Sequence, residues 1–256
     1  MQIINTKIAD LPVYVFEDRC TMGKAAAREA AEVIAEAIEK RGAANVIFAA
    51  APSQTNMLDA LLEQNIDWTK VRGFHQDEYI GLDNDHPAGF GNFMRRYLFD
   101  KVPFMELHYL RSESGKESEK CAEYSALLNE YPPDLIFLGV GENGHLAFND
   151  PSVADFEDAN QVKVVELDDV CRNQQVNDGC FGSIDEVPKQ ALTLTLSQIR
   201  KVPRAITVVP TALKADAINK ALNGPVTTEC PASMLRSHPG ASLYLDRESA
   251  GKAFAL

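Results

Sequence analysis

Short apolar runs that alternate with helix-forming segments limit the fold classes open to this chain. Strands are predicted at residues 12–16, 45–50, 71–76, 107–110, 135–138, 162–167, 191–196, 204–209 and 242–246. Helices are predicted at residues 21–40, 56–64, 92–99, 119–128, 168–175, 212–222 and 232–236. Several strands are nearly continuous apolar runs, which is typical of parallel strands buried on both faces. The pattern predicts an α/β protein with three αβα layers, in which a mainly parallel, Rossmann-like sheet carries helices on both faces.

The composition and charge of the chain are those of a globular protein. A chain of 256 residues, 45 % of them hydrophobic, can bury a large core. It contains no linker-like tract and no repeat, so we predict one domain over residues 1–256. The net charge of -12 argues against nucleic acid or an anionic membrane as a partner, because such partners select basic surfaces. A small anionic substrate needs only a local positive pocket and stays compatible with this charge.

The five cysteines are scattered along the chain without the spacing of a metal or redox site. We therefore expect reduced, structural thiols, no bound metal and a cytoplasmic protein. The first residues lack the pattern of a signal segment, and no apolar run reaches the roughly 18 residues of a membrane span. The sequence leaves the number of subunits open, and a homo-oligomer is compatible with it.

A glycine-rich turn directly after the strand at 135–138 is the strongest candidate site. Gly141 and Gly144 allow a sharp backbone turn or a close approach to a ligand, and His145 and Asp150 follow. Open α/β sheets present their sites at the carboxyl ends of strands, where this turn falls. The alternative is an ordinary tight turn, in which the histidine and the aspartate only cap the backbone.

Two other predicted strands also end in polar residues. Ser53, Gln54 and Thr55 precede a helix, where hydroxyl and backbone N–H groups suit an anion, although an ordinary N-cap is the simpler interpretation. Asp77 and Glu78 are adjacent carboxylates at the end of the third predicted strand. Either both lie on a solvated edge, or one points into a cleft as a base while the other points away.

Four segments, taken together, resemble one protein family. Residues 74–82 read FHQDEYIGL, residues 138–151 read LGVGENGHLAFNDP, residues 187–194 read VPKQALTL, and residues 238–239 read HP. In this order and over most of the chain, they are similar to the glucosamine-6-phosphate deaminase/isomerase family, which also contains the 6-phosphogluconolactonases. The lactonase branch has Ala-Ser-Leu-Phe-Pro after its Gly-His pair, whereas residues 146–151 resemble the deaminase branch.

The resemblance implies an activity that needs neither a metal nor an organic cofactor. A 2-amino-2-deoxyhexose 6-phosphate, a small anionic substrate, would become a ketose 6-phosphate and ammonia. His145 would protonate the ring oxygen and open the sugar, and Asp77 would move a proton between C2 and C1. The resulting imine would lose ammonia to water. Asp150 would hold the tautomer of His145 and stabilise its imidazolium.

The resemblance also implies a substrate site that departs from the family pattern. Asn143 stands where the family usually has aspartate, and it would still orient the ring of His145 by hydrogen bonding. Asp150 replaces a longer glutamate. The arginine that grips phosphate in many members is absent near Gly179, and Arg172, a few residues upstream, is a candidate to replace it. The remaining substrate contacts are expected from Ser53, Gln54, Thr55, Gly141, Gly144 and Lys214.

Three functions stay open at this point. The first is an amino-sugar phosphate isomerase-deaminase that acts on glucosamine 6-phosphate or an epimer. The second is a sugar lactonase similar to 6-phosphogluconolactonase, with His145 as a base, and the third is a sugar-phosphate-binding protein without catalysis. The ending Phe148-Asn149-Asp150 argues against the second function, and the presence of Asp77 argues against the third. Release of ammonia separates the first function from the other two.

Overall fold

The computed structural model describes all residues from 1 to 256. Its strands are β1 (Gln2–Ile8), β2 (Leu11–Phe16), β3 (Ala44–Phe48), β4 (Val71–His75), β5 (Asp77–Tyr79), β6 (Glu106–His108), β7 (Leu135–Leu138), β8 (Val162–Glu166), β9 (Gln190–Leu194), β10 (Arg204–Val209) and β11 (Ala241–Asp246). Its α-helices are α1 (Arg19–Arg41), α2 (Thr55–Leu62), α3 (Phe90–Met94), α4 (Glu117–Glu130), α5 (Asp169–Asn177), α6 (Leu196–Lys201), α7 (Ala215–Asn223) and α8 (Arg247–Phe254). None of these helices combines the length and the apolar character that a membrane span requires.

An eight-stranded sheet forms the centre of the molecule, with the strand order β1-β2-β11-β10-β7-β3-β4-β6. Neighbouring strands are parallel except for β1 and β2, which are antiparallel. Side chains of the central strands alternate between two apolar cores, because successive residues of a strand point to opposite faces. Val46 and Phe48 lie in one core together with α1, whereas Ile47 lies in the other together with α7. The predicted α/β fold class, with helices on both faces of a mainly parallel sheet, is confirmed.

A second sheet of three antiparallel strands, in the order β5-β9-β8, was not predicted. The strands expected at 162–167 and 191–196 exist, but they pair with each other and with β5 outside the main sheet. A local apolar pattern indicates a strand without indicating its partner, since pairing depends on residues far away in the chain. The elements β1, α6 and α8 are also missing from the predicted set, because they are short or half exposed and carry weak periodicity.

The loops after β3, β7 and β10 lie side by side because these parallel strands are neighbours in the sheet. They carry Ser53, His145 and Lys214 respectively. The strand β4 runs next to β3 and leads directly into β5, which begins at Asp77. The topology therefore collects polar side chains from four strand ends at the carboxyl edge of the main sheet.

Candidate active site

A cleft of about 540 Å³ opens at this carboxyl edge. Its ionisable side chains are Asp77, His145, Asp178 and Lys214. The other lining residues are Ala49, Ala50, Ala51, Ser53, Gln76, Phe90, Gly139, Val140, Gly141, Ala147, Phe148, Gln174 and Gln175. The fold thus brings together a histidine, two carboxyl groups and one amine that are distant in the sequence.

His145 and Asp150 form a buried pair beside the cleft. Nδ1 of His145 lies 2.9 Å from Oδ1 of Asp150. Burial alone would raise the pKa of Asp150, but hydrogen bonds from His145, from Asn143 and from the backbone N–H of Asp168 lower the pKa overall. The ionised carboxylate holds the proton on Nδ1, so Nε2 is the ring nitrogen available for proton exchange.

The two glycines of this turn have different structural roles. Gly141 lines the cleft, and any side chain at this position would collide with the imidazole ring of His145. Gly144 lies outside the lining and has φ of 89°, a left-handed conformation that favours glycine. A Cβ at Gly144 would lie 2.8 Å from Sγ of Cys230. The expected substrate contact of Gly144 is therefore corrected to a packing role, whereas Gly141 does border the space for a ligand.

Asn143 organises the carboxylates around His145 and does not contact the imidazole ring. Its Oδ1 accepts a hydrogen bond from the backbone N–H of His145 at 3.0 Å. Its Nδ2 donates to Oδ1 of Asp150 at 2.9 Å and to Oδ2 of Asp168 at 3.1 Å. The expectation that Asn143 orients the ring itself is corrected. An amide suits this position because two acceptor carboxylates surround one donor group.

The Asn143→Asp variant is expected to unfold more easily at neutral pH. An aspartate would lose both donated hydrogen bonds and place a third carboxylate next to Asp150 and Asp168, which should cost about 1–3 kcal/mol of the free energy of unfolding. Urea denaturation at neutral pH measures this loss. The matched control is Asn84→Asp, at an exposed loop residue, which should change the free energy by less than about 0.5 kcal/mol. Equal stability of Asn143→Asp and the wild type would contradict the proposed reason for the amide.

Asp77 is a buried carboxyl group in the wall of the cleft, and its Oδ1 has no hydrogen-bond partner. Burial, and secondarily the charge of Glu78, raise the pKa of Asp77 well above its usual range. His75 supports the backbone here: its Nδ1 lies 2.9 Å from the carbonyl oxygen of Asp77, and its Nε2 accepts the N–H of Leu110 at 3.0 Å. Burial lowers the pKa of His75 to about 4, so this histidine is neutral.

Glu78 points away from the cleft. Its carboxylate accepts backbone N–H groups from Tyr79 at 3.0 Å, from Phe90 at 2.9 Å and from Gly91 at 2.8 Å. Burial raises the pKa of Glu78, and these hydrogen bonds counteract part of that effect. Glu78 therefore anchors the beginning of α3, while its neighbour Asp77 faces the cleft, as the alternation of side chains along a strand requires.

Lys214 brings the only ammonium or guanidinium group to the cleft lining. Its side chain is buried, Nζ has no hydrogen-bond partner, and the nearest carboxylate oxygen, of Glu142, lies 3.8 Å away. Burial lowers the pKa of Lys214, and the charges of Asp178 and Glu142 counteract this. The turn before it is held by Asp246, which accepts the N–H of Thr211 at 3.0 Å. A buried amine without a partner can bind an anion in the cleft.

Of the expected anion loop, Ser53 alone lines the cleft. Gln54 is buried, and its Nε2 donates to the carbonyl oxygen of Val208 at 3.1 Å, which ties the loop to β10. The hydroxyl of Thr55 donates to the carbonyl oxygen of Pro52 at 3.0 Å at the beginning of α2. The expected ligand contacts of Gln54 and Thr55 are therefore corrected to contacts that shape the loop.

Arg172 lies on α5 but outside the cleft lining. Its guanidinium donates to the carbonyl oxygens of Ile184 at 2.7 Å and of Val187 at 3.1 Å, and it lies 3.2 Å from the carboxylate of Asp169. The prediction that Arg172 replaces a phosphate-binding arginine is corrected, because α5 directs this side chain to the loop before β9. Arg172 ties that loop to the helix.

One face of α5 lines the cleft, although its sequence pattern did not indicate a site. Gln174 and Gln175 lie there, and the next residue on the same face is Asp178, directly after the helix. Oε1 of Gln174 accepts the backbone N–H of Glu142 at 2.8 Å, which connects α5 to the turn after β7. The spacing of these residues indicates one helix face. Because glutamines are equally common on solvated faces, that spacing does not by itself distinguish a site.

One cluster has the donor atoms for a metal ion. Nitrogen, oxygen and sulfur atoms of His145, Asp150 and Cys171 lie within 4.8 Å of one another. The contact of 2.9 Å between Nδ1 of His145 and Oδ1 of Asp150, and the hydrogen bond from Asn143 to Asp150, explain the proximity of His145 and Asp150 without a metal. The expectation of a site without a metal stays a prediction.

Comparison with known proteins places these residues in a family. A sequence model described as glucosamine-6-phosphate isomerases/6-phosphogluconolactonase matches residues 17–244, which include every residue of the cleft. The chain belongs to this family. The resemblance of the four sequence segments is therefore confirmed.

The proteins similar to this chain include deaminases and lactonases. The glucosamine-6-phosphate deaminase of Oenococcus oeni is 33 % identical over 225 residues, which are 88 % of this chain and 93 % of that protein. The structure of a monomeric glucosamine-6-phosphate deaminase matches with a TM-score of 0.85 and 27 % identity, over 94 % of this chain and 99 % of the other. A 6-phosphogluconolactonase from Shewanella baltica has a TM-score of 0.77 at 16 % identity, over 94 % and 99 % of the two chains, which shows a shared fold alone.

Proposed function

We propose that this protein is an amino-sugar phosphate isomerase-deaminase that converts glucosamine 6-phosphate and water into a ketose 6-phosphate and ammonia. The observation that carries the proposal is one cleft with an unpaired buried carboxyl group, Asp77, beside the close pair of His145 and Asp150, whose Nδ1 and Oδ1 atoms lie 2.9 Å apart. The two deaminase relatives, which align with most of this chain, support the choice of substrate.

In this proposal His145 opens the sugar ring. The imidazolium delivers a proton to the ring oxygen as the bond between C1 and that oxygen breaks, and the resulting neutral imidazole takes the proton of the C1 hydroxyl, so that C1 becomes an aldehyde. The Asp150 carboxylate, 2.9 Å from Nδ1, stabilises the imidazolium before this step and keeps the correct tautomer after it. Asn143 and the backbone N–H of Asp168 hold Asp150 in place.

Asp77 then moves a proton from C2 to C1. The carboxylate takes the C2 proton, and the electron pair forms an enolamine while the His145 imidazolium gives a proton to the C1 oxygen. The same carboxyl group returns its proton to C1, which leaves an imine at C2. Burial and the raised pKa make Asp77 a stronger base than an exposed aspartate. Water adds to the imine carbon, and ammonia leaves.

Lys214 and Ser53 are assigned to the phosphate group. The Lys214 ammonium is buried without a hydrogen-bond partner and can make charge-assisted hydrogen bonds to phosphate oxygens. Ser53 adds a hydroxyl donor from the loop after β3. Sugar-phosphate binding agrees with the family to which the chain belongs.

Coupled measurement of ammonia release tests the proposed function. The panel is glucosamine 6-phosphate, galactosamine 6-phosphate and the two unphosphorylated amines. We expect release from glucosamine 6-phosphate and at least about 100-fold lower kcat/KM with unphosphorylated glucosamine, because the Lys214 contact is then lost. Hydrolysis of 6-phosphogluconolactone without ammonia release would instead support the lactonase. If a folded sample releases no ammonia from any compound of the panel, the deaminase function is contradicted.

The proposal also includes one domain over residues 1–256 and a cytoplasmic enzyme without a metal or an organic cofactor. These statements stay predictions. The number of subunits, monomer or homo-oligomer, stays open.

A further inference from the structure

We propose that Asp178 makes phosphate binding in the cleft depend on the uptake of one proton, which the Asp178 carboxyl group and the bound phosphate share. This inference rests on the proposed function, because it concerns the phosphate group of that substrate. It makes Asp178 a residue that determines the ionisation state in which the substrate binds.

The first observation is the position of Asp178 relative to Lys214, the single ammonium group of the cleft. Asp178 follows the last residue of α5 and lines the cleft together with Lys214. Lys214 makes no ion pair with Asp178 within 4.0 Å, and its Nζ has no hydrogen-bond partner. An anion that binds to this amine therefore enters a cleft that already contains a carboxyl group.

The second observation is the set of groups that face Asp178. Gln174, on its own helix, lies with Nε2 3.4 Å from Oδ2 of Asp178. The charges of Lys214, in the turn after β10, and of Glu142 and His145, in the turn after β7, act on Asp178, and the charge of Asp178 in turn acts on the Cys180 thiol. Burial raises the pKa of Asp178, Lys214 and Gln174 lower it, Glu142 raises it, and the net direction is upward. The surroundings thus stabilise the carboxylate incompletely even before a ligand binds.

The charges then determine what happens when a phosphate binds. A phosphate monoester has its second pKa near about 6 and is mostly a dianion at neutral pH. One ammonium cannot compensate a dianion and a carboxylate in the same half-buried space, because neighbouring like charges raise each other's pKa. A proton on either acid removes one charge and allows a hydrogen bond between the two groups. Binding is therefore expected to take up a proton.

Kinetics over a range of pH test this coupling. At pH values where the free phosphate group and the free Asp178 carboxyl group are both ionised, KM of the wild type for glucosamine 6-phosphate should rise about tenfold per pH unit. Asp178→Asn removes the competing charge, so its KM should rise less than about twofold per unit and be about tenfold lower near pH 8.5. The substrate amine titrates identically in both enzymes. Removal of the Asp178 charge lowers the pKa of Lys214, which would make KM of the variant rise more steeply, so a shallower slope in the variant reports on Asp178 itself. The matched control Asp185→Asn, at an exposed residue, should follow the wild type.

Binding of inorganic phosphate separates this inference from the proposed function. Calorimetry near pH 8 in two buffers of different ionisation enthalpy should give an uptake of about one proton for the wild type and almost none for Asp178→Asn. This result without turnover of any sugar would contradict the deaminase and support the proton uptake. Turnover with the same dependence of KM on pH in the wild type and in Asp178→Asn would overturn the role of Asp178 and leave the deaminase intact. If circular dichroism shows that Asp178→Asn does not fold, Asp178→Ser removes the same charge and takes its place.

Discussion

Replacing His145 with glutamine is expected to lower kcat for glucosamine 6-phosphate by about 10²–10⁴-fold. An amide cannot deliver a proton to the ring oxygen, although it can still donate a hydrogen bond to Asp150. KM should therefore change by less than about fivefold, because the imidazole acts in the transition state and Lys214 still binds the phosphate. Steady-state ammonia release measures both constants.

The matched control is His108→Gln, on the strand β6 outside the cleft lining. His108 lies 3.3 Å from the carboxylate of Glu106 and has no contact with the proposed reaction. Its variant should keep kcat within about twofold of the wild type. If the His145→Gln enzyme keeps more than about one tenth of the wild-type kcat, the proposed role of His145 in ring opening is contradicted.

Replacing Asp77 with asparagine is expected to lower kcat by a similar factor of about 10²–10⁴, through a different step. Asparagine has nearly the same shape but cannot take the C2 proton. In D₂O the wild type should keep part of the C2 hydrogen of the substrate at C1 of the ketose product, because the same carboxyl group removes it and returns it, and NMR measures the ratio of hydrogen to deuterium there. The residual turnover of Asp77→Asn should take the hydrogen at C1 from solvent alone, and unchanged transfer from C2 in this variant would assign the proton transfer to another group.

The pH dependence gives an independent test of Asp77. Only the ionised carboxylate can act as a base, and burial raises the pKa of this group well above its usual range. The kcat/KM of the wild type should therefore rise with pH up to that raised pKa, and it should be lost as the pH falls below it. The kcat/KM of the residual activity of Asp77→Asn should not show this decrease at low pH.

Glu78→Gln is the matched control at the neighbouring residue. Glu78 accepts three backbone N–H groups, and glutamine offers one carbonyl oxygen in place of two carboxylate oxygens. The free energy of unfolding should fall by about 1–3 kcal/mol, while the ability to take the C2 proton stays with Asp77. Loss of hydrogen transfer from C2 to C1 in Glu78→Gln but not in Asp77→Asn would contradict the roles proposed for these two carboxyl groups.

Much of the fold could be predicted because its signals are local. The runs that became β3, β7 and β10 are apolar at nearly every residue, and strands covered on both faces require that composition. The three antiparallel strands could not be assigned to a separate sheet in the same way. Their pattern is that of ordinary strands, and only the pairing of Asp77 with Thr193 and of Lys163 with the same residue shows where they belong.

In the candidate site, too, some contacts follow from the local sequence and others follow from the arrangement of the strands. Gly141, His145 and Asp150 lie within one turn, so their proximity is a consequence of short sequence separation and could be predicted. Ser53, Asp77 and Lys214 follow strands, and the parallel order of the strands is enough to bring them to one edge of the sheet.

Contacts that depend on the direction of a side chain were decided by the tertiary structure alone. Arg172 lies on α5, and Asp178 directly follows the last residue of this helix. Arg172 holds a loop whereas Asp178 lines the cleft, because the packing of α5 determines how the helix is rotated about its own axis. An amide suits residue 143 because Asp168, 25 residues further along the chain, places a second carboxylate next to it. By itself, the sequence determined which segments are strands and which motif carries the site, since both depend on local pattern. The tertiary structure decided which polar atoms meet, since that depends on packing between distant segments.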